Sequence, residues 1–111
     1  MKTHPDVADL PSLAEETLGE ARGQHARRAA RTLVAGAAQR ATLIALAKGA
    51  ELTEHAAPPA ATLYVITGQV RLYTHDQEWV LRAGHLAHIP PQRHALQALA
   101  DSAVLLTVAL R

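Results

Sequence analysis

From about Arg27 onward the chain is a succession of short apolar stretches, each ended by residues that turn the backbone. That pattern is the strongest constraint on its fold. The stretches cover 31–34, 41–47, 62–67, 69–73, 79–81, 86–89, 95–99 and 103–110. Between them stand Gly36, Lys48-Gly49, Pro58-Pro59, Gly68, His75-Asp76, Ala83-Gly84, Pro90-Pro91 and Asp101. Runs this short, with turn signals at regular intervals, predict an all-β sandwich or barrel. The preceding segment has a different period. Over 10–24, Leu10, Leu13, Leu18 and Ala21 fall close to one helical face, with Glu15, Glu16, Glu20 and Arg22 on the rest. Ser12 is expected to cap this helix, with Glu15 completing a capping box and Gly23 ending it. The chain thus divides into a helical extension, 1–26, and a β-barrel domain, 27–111.

Alternation orients two of the strands. In 69–73, Val70 and Leu72 share one face while Gln69, Arg71 and Tyr73 share the other, as in a half-buried strand. In 61–67, Leu63 and Val65 lie on one face and Tyr64 and Ile66 on the other, so both faces are apolar. Such a strand wants cover on both sides, from another layer, from the N-terminal helix or from a second subunit. The core must be assembled from Ala, Val, Leu and Ile, because the 111 residues include no Phe, one Trp and two Tyr. Small side chains fill space poorly against one another, and a homodimer is the expected way to bury more surface.

Composition narrows the function classes. The net charge of +1 makes no electrostatic case for nucleic acid or a membrane surface. The basic run Arg22, His25, Arg27, Arg28 and Arg31 comes without a helix-turn-helix or zinc pattern. It is expected to be solvated or paired with Glu15, Glu16 and Glu20. With no cysteine, thiolate metal sites, disulfides and cysteine nucleophiles are excluded. There is no Gly-rich phosphate loop and no Ser-centred nucleophile elbow. No segment approaches the roughly 20 apolar residues of a membrane span, and no apolar run follows Met1, so the expected setting is the cytoplasm.

The spacing of Gly, His and Pro carries a resemblance. Gly49 is followed by five residues and His55, and Tyr64-Val65-Ile66-Thr67-Gly68-Gln69-Val70 forms a strand–turn–strand. Farther on, Gly84 is followed by five residues, Pro90, a short loop and His94. In this order, over about 40–110, these segments resemble the two motifs of the cupin superfamily. The resemblance implies a single-domain cupin barrel, a double-stranded β-helix of jelly-roll type, here with a short N-terminal helix. It also implies that His55 and His94 point inward from neighbouring strands, where they are expected to face each other across the interior and line a ligand pocket; His88, Leu63 and Val65 are the further expected ligand-binding residues. Metal-binding members use two His one residue apart, a Glu shortly after, and a third His in the second motif. In this chain His55 and His94 match, but Ala57 and Ala61 stand at the second His and the Glu.

Two imidazoles hold a divalent ion poorly, since such sites generally supply three protein ligands. No cofactor is therefore expected. One alternative keeps a metal: if His88 faces the interior, His55, His88 and His94 form a three-imidazole site suited to zinc, iron or nickel. Two functional readings follow. The first is a small stand-alone cupin that binds a small molecule without metal, in a sensory or binding role. The second is a metal-dependent enzyme, a dioxygenase or isomerase, built on the histidine cluster. Trp79 and Leu81 are expected in the core rather than as a stacking platform.

Overall fold

The computed structural model describes residues 6–55, 60–89 and 91–110, the side chains of Glu54 and His55 excepted. It consists of one helix, α1 (Leu10–Arg22), and nine strands. The strands are β1 (Arg28–Ala35), β2 (Gln39–Leu46), β3 (Glu51–His55), β4 (Ala60–Thr67), β5 (Gln69–Tyr73), β6 (Glu78–Arg82), β7 (Leu86–His88), β8 (His94–Ala98) and β9 (Ser102–Ala109). They form a five-stranded sheet in the order β1-β2-β9-β4-β7 and a four-stranded sheet in the order β3-β8-β5-β6. All pairings are antiparallel. This is an all-β fold, as the periodicity predicts, and it has the jelly-roll architecture that the cupin resemblance implies.

The inner faces of the two sheets make the core. Leu46, Val65, Val70 and Val104 are fully buried there, joined by Ile44, Leu63, Leu72, Ile89 and Leu96. Fully burying a side chain of this size contributes roughly 1.5–3 kcal/mol. In β4 burial alternates, with Ala61, Leu63 and Val65 inside and Thr62, Tyr64 and Ile66 only partly covered outside. The doubly apolar strand thus has one face in the barrel and the other on the sheet exterior. Part of that exterior lies beneath α1, whose Leu18 and Ala21 pack on Ala45 and Ala29. Arg31 faces the helix as well and pairs with Glu20 and, at 3.6 Å, with Glu16.

The helix starts one turn earlier in its capping logic than the sequence suggests. Asp9 is the N-cap, its carboxylate accepting from Ser12 N–H and Ser12 Oγ–H, so Ser12 is a partner of the cap rather than the cap itself. The carboxylate outcompetes the hydroxyl because it accepts two bonds and complements the helix N-terminus. Strand β3 is absent from the pattern-based expectation. Its five residues hold a single aliphatic side chain, Leu52, because it is an edge strand with one face in solvent.

The connections at the two ends of the barrel differ. Chain passages between sheets at 47–50, 68, 83–85 and 99–101 all lie at one end, each short. They are bonded to one another: Gly49 N–H donates to Ala98 O, Leu99 N–H to Gln69 O, and Ala83 N–H to Gly68 O. Ser102 Oγ accepts from Gln69 N–H at 3.0 Å and donates to Ala100 O at 2.7 Å. Asp101 adds a clasp, accepting from Lys48 N–H and from the Arg22 guanidinium, both at 2.8 Å. These two donors hold its carboxyl below the usual aspartate range, the Lys48 amide contributing most. No described helix is long and apolar enough to cross a membrane.

Candidate functional site

At the other end of the barrel, β8 begins with His94, and alternation places His94, Leu96 and Ala98 on the inner face. His94 is only 5% exposed. Its Nδ1 lies 2.9 Å from the carbonyl oxygen of Gln92. A carbonyl only accepts, so Nδ1 is the donor in this bond. The requirement that a buried imidazole be satisfied is met in part by the turn that delivers it.

His94 borders a narrow void between the sheets of ≈ 20 Å³. From the four-stranded sheet Leu52, Leu72 and Leu96 line it, and from the five-stranded sheet Ile44, Leu63 and Leu106, with Ile89 following β7. Among the described residues, seven aliphatic side chains and one imidazole line the site, with His94 the one hydrogen-bonding side chain among them. A space of this size admits about one water. Larger hollows are on the exterior and shallow. One of ≈ 260 Å³ lies against the β5–β6 turn, and one of ≈ 470 Å³ runs along the ends of β4 and β9.

Each expected site residue has a definite place. Leu63 lines the void, and Val65 is fully buried on the same strand face, farther from His94. The backbone register pairs His55 with His94 on adjacent strands, so these positions are side by side in one sheet rather than opposed across the interior. The side chain of His55 lies outside the described residues, as does Ala57. His88 is a correction. It pairs with Thr62 on the outer face of β4, is exposed, and borders the exterior hollow of β4 and β9. Its neighbours Ala87 and Ile89 take the inner face instead, so the condition for a three-imidazole cluster is not met. Trp79, expected in the core, is 38% exposed at the edge of the four-stranded sheet.

Among the described residues the donor set does not fit a divalent ion. Where the family pattern has a carboxylate, the inward position carries the methyl group of Ala61, 5% exposed. Among the described residues the lining of the void includes no Asp or Glu, and no group of three metal-ligating side chains converges. Among the described side chains, one imidazole, even with a second from the paired position, comes without the third ligand and the negative charge such an ion needs.

No curated protein matches the chain. Solved structures do. A cupin-2 domain protein from Shewanella frigidimarina superposes with a TM-score of 0.72 at 18% identity, covering 94% of this chain and 95% of that one. A cupin superfamily protein from Desulfitobacterium hafniense gives 0.71 at 15% identity, over 76% and 78%. A conserved protein of unknown function from Streptococcus pyogenes gives 0.70 at 25% identity, over 78% and 76%. The family model for the cupin domain matches residues 42–109, which run from β2 through β9 and include both histidine-bearing segments and every residue that lines the void. On that match, and on a jelly roll with His55 and His94 paired at its mouth, the chain belongs to the cupin family.

Proposed function

We propose that this protein is a binding or sensory cupin that takes a small, uncharged and largely apolar molecule into its barrel, without a stoichiometric metal. The observation that carries the reading is the lining of the void: seven aliphatic side chains around one buried imidazole. Such a lining penalises a charged ligand, which would lose its hydration with nothing to replace it. It favours an apolar body with one hydroxyl or N–H group to meet the imidazole. A cytoplasmic setting is part of the reading.

A homodimer belongs to it too. On the exterior of the five-stranded sheet, Thr62, Tyr64, Ile66, Leu86, His88, Leu105 and Thr107 form a face with no Lys, Arg, Asp or Glu. The exterior of the other sheet carries Glu51, Arg71, Glu78 and Arg82. Interface centres are depleted in charge, and a two-fold axis makes an uncharged face complementary to itself.

The test is a screen of small neutral alcohols and amides, followed by the methyl resonances of Leu63, Leu72 and Leu96, together with elemental analysis of untagged protein. Perturbed interior methyls with well under one equivalent of transition metal per chain are expected. Stoichiometric zinc, iron or nickel surviving dialysis would overturn the metal-free reading and favour the metal-dependent enzyme.

A further inference from the structure

The register of the four-stranded sheet sets one row of side chains across its inner face. Leu52 pairs with Leu96, Leu96 with Leu72, and Leu72 with Trp79. Directly paired residues of antiparallel strands project to the same face. For β6 this is corroborated two residues on, where Leu81 packs against the core. The first three members of the row line the void. The fourth stands at the sheet edge, where solvent reaches 38% of Trp79 while Leu72 beside it is 2% exposed.

That edge is a seam. β6 ends the four-stranded sheet and β7, only three residues long, ends the five-stranded one. They are joined through the turn at 83–85 and do not appear as partners in either ladder. Trp79 lies three residues before the end of β6 and Ile89 three residues after the start of β7, so both stand at the same distance from the turn. Ile89 borders the void from the far side of the seam.

We propose that Trp79 controls access to the barrel interior and sets the size of molecule admitted, an inference that rests on the interior-binding reading above. A void of ≈ 20 Å³ has no room for a ligand until something moves. The aliphatic residues of the lining are held between two packed layers. The indole is at a free edge, is partly in water, and turns on two side-chain torsions without breaking a ladder bond. Its outward rotation vacates an aromatic volume next to Leu72. The molecules selected are neutral and compact, with an apolar body comparable to the indole that makes way for it.

The test uses the full chain with cyclohexanol and cyclooctanol as probes, read by the interior methyls and by the emission of Trp79, the only tryptophan. Cyclohexanol is expected to perturb both signals. Replacing Trp79→Ala removes the closed state, so apparent affinity for cyclohexanol rises about tenfold if the ring is open about a tenth of the time. Cyclooctanol is expected to bind the variant and not the parent. Trp79→Phe, which preserves an aromatic in the strand, gives an intermediate gain and serves if the alanine variant does not fold. Equal affinity in parent and variants, with interior methyls perturbed in all, overturns the control by Trp79 and leaves interior binding standing. Weaker binding in the variants makes the ring a wall of the site, and likewise overturns it. Interior methyls unmoved in every chain overturn both readings.

Discussion

Replacing Gly68 by alanine should be among the most damaging single-methyl changes available in this fold. Gly68 alone connects β4 to β5 across the two sheets, with φ of +89°. An L-residue in the left-handed region costs about 1–2 kcal/mol, offset in part by about 0.4–1 kcal/mol from a stiffer unfolded chain. A Cβ there would also stand 2.7 Å from Ser102 Cα and still closer to Ser102 Oγ and the Asp101 carbonyl oxygen. Two of these three atoms are backbone, and Ser102 Oγ is already bonded to Gln69 and Ala100, so nothing nearby yields cheaply. Overpacking adds about 1–3 kcal/mol and loss of the Ser102 bonds about 0.5–1.5 kcal/mol, for a total near 3–5 kcal/mol. Gly84 supplies the control, since it has the same φ of +89° and nothing within 4 Å of its added Cβ. Gly84→Ala should lose only about 1 kcal/mol. Urea unfolding of both variants, fitted with a common slope, measures the difference directly. If the two lost equal stability to within about 0.5 kcal/mol, the contact with Ser102 would carry no weight and the reasoning would fail.

Three further expectations follow from particular bonds. Asp101→Asn should be less stable than the parent at pH 7 by about 1 kcal/mol or less, because solvent screens the Arg22 pair. Since the folded carboxyl titrates below its unfolded value, the stabilisation is complete above about pH 4 and is lost as pH falls through the folded value. The two urea midpoints should therefore converge in acid, and a constant gap would count against this assignment. His94→Leu gives up the Gln92 bond but gains apolar burial, so stability should change by no more than about 1 kcal/mol while cyclohexanol affinity falls about tenfold. A loss above about 2 kcal/mol with binding intact would make His94 a structural residue. Light scattering at micromolar concentration should return twice the 11.8 kDa of one chain, and Leu86→Lys, on the uncharged face, should reduce it to one.

The residues that announced themselves in sequence were those whose neighbours along the chain settle their environment. Val70 and Leu72 could be placed inside because Gln69, Arg71 and Tyr73 alternate with them, and the structure keeps that assignment. Gly68 and Gly84 mark turns because the backbone there enters a region that glycine tolerates. His88 was ambiguous for the opposite reason. Leu86 shares its face, and an apolar companion suggests the interior, yet Leu86 is 68% exposed on the sheet exterior. Strand β3 was hidden by its own polarity, since pairing with β8, not an apolar run, makes it a strand. The position of Trp79 next to Leu72 in the row that reaches the void depends on register through β8 and β5, which no local pattern contains.

The Asp101 clasp gives the barrel a direction. Through it, positions 22, 48 and 101 meet at the end where the sheet-to-sheet passages are shortest and bonded to one another. Amides such as those of Gln69, Ala98 and Leu99 should exchange with solvent only when the whole molecule opens. Slow exchange would then mark this end of the barrel as its anchored base. On the interior-binding reading proposed above, a guest would come and go past Trp79 many times within the lifetime of one folded molecule, because the helix and both sheets remain fastened at this base.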